Sequence, residues 1–220
     1  MIKELLLEYI VEQILVSCKK FLKEKRLKLK SSAKDIEAAL SDHTSLINNW
    51  SNQISFNDLK KAKNTTDVFI DIDISLMPRK RRIDSDEQIE KIQCRELFKK
   101  IDQHCVVLVQ PGAGKTTLMK FLCQSVLYDK KFYPDFFKFP ILIRLRELNS
   151  FTGDSNVIIT HLFDLCGLAL EKEKSDTIIN DSDLLLAKKK ILLPLLDSLT
   201  PLLILDGFDE LSTQKLKEKV

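Results

Sequence analysis

The chain has 220 residues, 44% hydrophobic and 30% charged, the balance of a polypeptide that buries a core and not of a disordered polymer. Lys+Arg 35 against Asp+Glu 32 leaves a net charge of +3, too small to argue nucleic-acid binding from charge alone. The five Cys (Cys18, Cys94, Cys105, Cys123, Cys166) are odd in number and none forms a CxxC pair. That excludes a disulfide framework or thiolate zinc site and fits a reducing compartment. His43, His104 and His161 are too scattered for a His-rich metal cluster. No run approaches the roughly 18–20 apolar residues of a spanning helix. Glu4, Glu8 and Glu12 break the apolar N-terminus at every fourth residue, so it is no signal peptide and a cytoplasmic protein is expected.

In chain order, residues 1–66 are expected to form a small all-α region. Glu4, Glu8, Glu12, Gln13, Ser17, Lys20 and Glu24 follow helical spacing over 2–27, opposite a wide apolar face of Leu5, Leu6, Tyr9, Ile10, Ile14, Leu15, Cys18 and Phe21. Acids at its start and bases at its end complement the helix dipole. The Lys- and Arg-dense run from Lys19 to Lys30 reads as a solvated helix end; the acidic start argues against a uniformly basic membrane or nucleic-acid arm. Ser31-Ser32 punctuates, and Ile36, Ala39, Leu40, Leu46, Ile47 and Trp50 predict a second helix over Ala33–Trp50, able to form an antiparallel hairpin with the first. The wide apolar face and the absence of catalytic pairs suggest a protein-binding module. Residues 51–66 read as a connection with one helical turn around Asp58–Lys63.

Residues 67–83 read as a linker. Val68, Ile70, Ile72 and Ile74 alternate with Phe69, Asp71, Asp73 and Ser75, the period of a strand ended by Pro78. The tetrad Arg79-Lys80-Arg81-Arg82 is a solvated linker, a localisation signal or a phosphate-contacting arm. Over 84–220 the pattern alternates. A helix is predicted over Ser85–Lys100, a strand buried on both faces over Cys105–Val109, and a helix over Lys115–Tyr128. A strand over Phe139–Arg144, helices over Val157–Cys166 and Asp183–Ser198 and an apolar strand over Leu202–Asp206 complete it. Strands alternating with helices make this an α/β fold with a parallel sheet.

Between the first of these strands and its helix lies Gln110-Pro111-Gly112-Ala113-Gly114-Lys115-Thr116-Thr117. Glycines let successive N–H groups turn toward one anion, and the helix that follows adds its unbonded amides and dipole. Pro111 to Thr117 form the expected phosphate loop, with Lys115 reaching the β- and γ-phosphates and the Thr116 hydroxyl on Mg2+. The first Gly of the full GxxxxGK[ST] fingerprint would fall at position 109, where this chain has Val109. Weakened tuning is expected there, because anion contacts come from the later residues.

The strand Leu202–Asp206 delivers Asp206 at its C-terminal end, where open α/β sheets bind ligands, and Gly207-Phe208-Asp209-Glu210 follow. Asp206 is a candidate Mg2+ holder. Asp209 and Glu210 are the candidate catalytic acids, placed to polarise a water toward the γ-phosphate.

Pro-Gly-Ala-Gly-Lys-Thr-Thr-Leu followed by four apolar residues and Asp-Gly-Phe-Asp-Glu-Leu resembles the NACHT domain of the STAND class of P-loop ATPases. The small Gly207 after the metal Asp206, with acids three and four positions beyond that Asp, carries the likeness. It spans roughly residues 84–220. The resemblance implies ATP/ADP with Mg2+, a three-layer α/β/α sheet in the order 5-1-4-3-2 and self-oligomerisation on activation. It also implies a signalling role of the kind bacterial NACHT defence proteins have, in which ADP holds the closed state. With Val220 ten residues after Glu210, about three core parallel strands are expected, as in the N-terminal half of such a domain. Two other readings stay open. One is a small-molecule P-loop kinase, for which Asp129–Pro140 would be a short lid; the other is a helical interaction module with a vestigial nucleotide site.

Overall fold

A computed structural model of the chain describes residues 4–54, 63–71, 73–75, 90–100, 104–108, 110, 112, 114–128, 137–150, 156–173 and 179–208. The described helices are α1 (Glu4–Glu24), α2 (Ala33–Asn52), α3 (Thr65–Val68), α4 (Leu97–Lys100), α5 (Lys115–Tyr128), α6 (Val157–Leu165) and α7 (Asp181–Leu199). The strands are β1 (Leu27–Leu29), β2 (Gln53–Ile54), β3 (Lys63–Asn64), β4 (Asp73–Ser75), β5 (Lys91–Gln93), β6 (Pro140–Arg144), β7 (Leu170–Lys172) and β8 (Leu202–Asp206). The chain divides into two compact units, 1–47 with 138–220 and 48–137. This division differs from the expected segments 1–66, 67–83 and 84–220, because it follows packing where the sequence reading followed punctuation.

In the first unit, β6 and β8 pair in parallel with Ile141 opposite Leu203 and Arg144 opposite Asp206. Every residue of β6 up to Ile143 is buried, as an apolar run without alternation requires. Around this pair lies one apolar core. From α1 it takes Leu7, Ile10, Val11, Ile14, Cys18 and Leu22, and from α7 Ala187, Ile191, Leu192, Leu195 and Leu199. Their spacings of three and four put each set on one face of its helix. The apolar face of α1 is therefore covered by α7. Tyr9, expected on that face, is 60% exposed. The Cys18 thiol donates to the Lys190 carbonyl at 3.3 Å, and Lys25 pairs with Asp183 at 2.8 Å.

The basic run after α1 ends in β1, which pairs antiparallel with β7, Leu27 opposite Lys172. The expectation of a helix through residue 27 is corrected: Arg26 takes a left-handed φ of 53° and turns the chain into the strand. The helix α6 stops in a Schellman arrangement. The Leu168 amide donates to the Phe163 carbonyl, and the Gly167 amide to that of Asp164. Gly167 has φ +69°, and a Cβ there would lie 2.7 Å from the Ala39 Cβ and 2.8 Å from the Asp35 carbonyl oxygen. Only glycine lets α2 come this close.

The edge of β6 is capped from α2. The Leu142 amide donates to His43 Nε2 at 3.3 Å, so the ring is held neutral with that nitrogen as acceptor. Burial, and after it the neighbouring His161, pushes the His43 pKa down to about 4.

The second unit corrects three expectations. Asp67 and Val68, placed at the start of a strand by alternation, belong instead to the turn α3, capped by the Asn64 side chain accepting from the Thr66 amide. Of the expected strand, among the described residues only Asp73–Ser75 pairs, antiparallel to β5. That pairing takes Lys91–Gln93 out of the helix expected over Ser85–Lys100, of whose described residues Leu97–Lys100 are α-helical. Finally, among the described residues 104–108 no strand is formed, and Val106 and Leu108 are 83% and 87% exposed. An apolar run supplies strand propensity but not the neighbouring edges that bury it. The parallel sheet among the described residues thus has two strands, not three. The basic tetrad Arg79–Arg82, the helical turn at Asp58–Lys63 and Ser85 lie outside the described residues.

Two predictions follow from this packing. Gly167→Ala is expected to destabilise the chain by about 2–4 kcal/mol, the sum of a left-handed Cβ and an overpacked contact, read as a lower urea midpoint at unchanged slope. For His43, a folded pKa of about 4 lies below the unfolded value of 6.5. Its contribution is full above pH 6.5 and is lost as pH falls toward 4, by at most about 3 kcal/mol. His43→Gln, which keeps an acceptor but cannot titrate, is expected to flatten the stability profile in that window.

Candidate phosphate-binding site

The phosphate loop lies in the unit of residues 48–137 and is described at Gln110, Gly112 and from Gly114 on; Pro111, Ala113 and Val109 lie outside the described residues. Gly112 has φ +82° and Gly114 φ +86°, the left-handed region that side chains avoid. Among the described residues, chain neighbours aside, no atom lies within 4 Å of where a Cβ would stand at either position. The first bond of α5 runs from the Leu118 amide to the Gly114 carbonyl at 2.9 Å. The amides of Lys115, Thr116 and Thr117 thus have no acceptor within the helix, and they carry its positive dipole end. Lys115 and Thr117 are half-buried and Thr116 is exposed.

What holds α5 is its opposite face. Leu118, Phe121, Leu122 and Cys123 are buried. The Phe121 ring stacks on Phe69, centroids 3.8 Å apart and 9° from parallel, and the Arg95 guanidinium lies 5.5 Å from the Phe121 centroid. Arg95 is in turn paired with Asp71 at 3.4 Å. By sequence alone Phe69 and Asp71 fall in the linker and Arg95 in a helix, and only the alternating pattern around Phe69 and Asp71 offers a local signal. Burial pushes the Cys123 thiol up to about 12, and the same cause, with Asp71 second, does so for Cys94; neither is a nucleophile at neutral pH.

The acidic strand belongs to the other unit. Asp206 sits half-buried at the C-terminal end of β8, and the chain turns immediately at Gly207, φ +81° and buried. Phe208 follows, exposed. Asp209 and Glu210 lie outside the described residues. Register adds a residue that the sequence reading took only as a strand end: Arg144 is opposite Asp206 on β6, and pairs with Glu147 at 3.6 Å. Only the parallel alignment of β6 with β8 reveals this placement.

A glycine loop opening a helix and a carboxylate at the end of a buried parallel strand are the two parts of a nucleotide-binding α/β protein. The NACHT domain family matches residues 103–219, just over half the chain. The chain belongs to the NACHT domain family. The matched stretch holds both motifs and starts just before the 104–108 segment. NACHT domains are nucleotide-binding P-loop NTPases of the STAND class, so the α/β class and the nucleotide reading of this chain stand on family membership as well as on its residues. Comparison with curated proteins and with solved structures returns no match. No helix among the described residues is long and apolar enough to cross a membrane.

The residues present suit a Mg2+-nucleotide. Among the described residues, the space at Gly112 and Gly114 leaves the backbone open to an anion, and exposed Thr116, in the same unit, and Asp206, in the other, each carry an oxygen donor of the hard type that Mg2+ selects. Gly114→Ala is expected to cost about 1–2 kcal/mol through its φ, with no clash against the described residues. The loss of nucleotide affinity, followed by titration calorimetry, should exceed what that stability change explains.

Proposed function

We propose that this NACHT chain is the ATP-handling part of a signalling switch of the STAND type, of the kind used in defence. It binds ATP or ADP with Mg2+ through Pro111–Thr117 and the Asp206–Glu210 motif. The observation that carries this reading is the pair of left-handed glycines at the start of α5, each with open space beside it among the described residues. In it, the amides of Lys115–Thr117 and the Lys115 ammonium neutralise the β- and γ-phosphates. The Thr116 hydroxyl and Asp206 hold the metal. Asp209 and Glu210 orient and deprotonate the attacking water. Bound Mg2+ supplies charge neutralisation at the phosphoryl oxygens. Residues 1–66 serve as the output module, 67–83 as a connecting segment and 84–220 as the nucleotide domain, with self-association following ATP loading. The support for output, self-association and a cytoplasmic location is the family resemblance.

One observation favours the alternative of an interaction module with a vestigial site: among the described residues, 104–108 ahead of the loop forms no strand, and Val106 and Leu108 are exposed. Binding of Mg2+-ATP by the 220-residue chain separates the two. Lys115→Ala is expected to weaken it by about 10–150-fold, the equivalent of one charge-assisted contact set, with circular dichroism unchanged. Equal affinity in the variant would remove the phosphate-loop assignment.

Asp209→Asn with Glu210→Gln is expected to lower turnover far more than ATP affinity, since both carboxylates act on the water and not on bound substrate. Matched losses in both measurements would give the two acids a metal-holding role instead.

A further inference from the structure

Among the described residues, four polar side chains are buried: Ser51, Thr65, Gln124 and Ser125. Two of them, Gln124 and Ser125, belong to the helix of the phosphate loop, and Ser51 and Thr65 bear on the same place. Gln124 Nε2 donates to Ser51 Oγ at 2.7 Å and to Asn48 Oδ1 at 3.2 Å. The Thr65 hydroxyl donates to the Ser51 carbonyl. On the rim, Lys120 Nζ donates to the Gln53 carbonyl at 2.6 Å and sits 5.3 Å from the centroid of the Trp50 ring. Every acceptor of α5 named here is in the last turn of α2 or just past it.

A buried amide is costly unless paired, so Gln124 tolerates α2 in one register only. The Lys120 ammonium meets the end of α2, where unbonded carbonyls and the negative dipole end favour a cation. Both contacts lie beyond the first turn of α5, on the helix that begins at Gly114. They are clear of the amides that face a phosphate.

We infer that the last turn of α2, held by Gln124 and Lys120, couples nucleotide occupancy of the phosphate loop to the order of α2. The inference rests on the phosphate-loop reading above. An anion on the first turn of α5 fixes that helix. A fixed α5 presents the Gln124 amide to Asn48 and Ser51, which orders the end of α2. Helix formation is cooperative, so order at its end favours the turns before it. Those turns carry Ile36 and Leu40, which share a core with α1. Gln124 is here a positioning residue: it touches no phosphate and acts through α5.

The test is amide hydrogen exchange of residues 44–54 in the 220-residue chain, with and without saturating Mg2+-ATP, beside ATP affinity by calorimetry. The unaltered chain is expected to show exchange slowed about 5-fold or more by ATP. Gln124→Leu, which keeps bulk and removes the hydrogen bonds, is expected to bring that ratio close to one. Coupling is reciprocal, so ATP affinity should fall by the same factor as the protection lost. A Gln124 that only stabilises the fold would speed exchange equally with and without ATP and leave the ratio unchanged, which overturns the inference. Ser51→Ala removes the same bond from the α2 side. Should Gln124→Leu not fold, Ser51→Ala carries the same expectation and the same overturning result. ATP binding with unaltered exchange in α2 overturns the coupling alone. No ATP binding by the unaltered chain overturns the phosphate-loop reading, and the coupling with it.

Discussion

The burial of one stripe of α1 against α7 decides how this chain is organised. Leu7, Ile10, Val11, Ile14, Cys18 and Leu22 recur at helical spacing and are buried, with Leu15 and Phe21 packed against them. Such a stripe is unstable in water and must be covered. In this chain the cover comes from more than 160 residues downstream, from the face of α7 that carries Ala187, Ile191 and Leu195. Because α7 leads directly into β8, the same seam fixes the strand that ends at Asp206. The N-terminal helix and the acidic motif thereby depend on one apolar core, although no local feature of either suggests the other.

Legibility in the sequence follows from this. The elements α2, α6, α7, β6 and β8 are readable nearly to the residue, because each carries its own signal: a periodic apolar face or an uninterrupted apolar run. The two glycines of the phosphate loop are readable because their chemistry is local. Other features are not, because they are set by partners. Cys105–Leu108 is as apolar as β8, yet only β8 among these has a paired neighbour. Lys91–Gln93 could extend a helix by propensity, but pairing with Asp73–Ser75 makes it a strand. Tyr9 sits one step off the stripe, and only the position of α7 tells which edge of a wide apolar face is covered.

The close approach of α2 to the end of α6 adds a second long-range constraint. Gly167 ends α6 in a left-handed turn, and that turn is where α2 passes. A single glycine thus both terminates a helix and admits another. The chain has five glycines, and the four described all take positive φ: Gly112 and Gly114 in the phosphate loop, Gly167 here, and Gly207 after Asp206. Each stands where the backbone must turn in a way that side chains resist.

The two units are held together internally by different forces. The core of the first, among the described residues, is apolar throughout. Apolar contact is strong and non-directional, and it suits a scaffold that keeps Asp206 and Arg144 at one sheet end. In the second unit the helix of the phosphate loop rests partly on stacked rings and partly on buried hydrogen bonds from Gln124. Hydrogen bonds are directional: a small rotation of α5 forfeits them, whereas a slipped apolar face loses little. Each is worth about 0.5–1.5 kcal/mol net when made, and more is lost when a buried partner is left unpaired. Energies of that size match the 1–3 kcal/mol by which a bound ligand biases a second site. Directional bonds of this size, added to the buried apolar face of Leu118, Phe121 and Leu122, are what the coupling proposed between α5 and the end of α2 draws on.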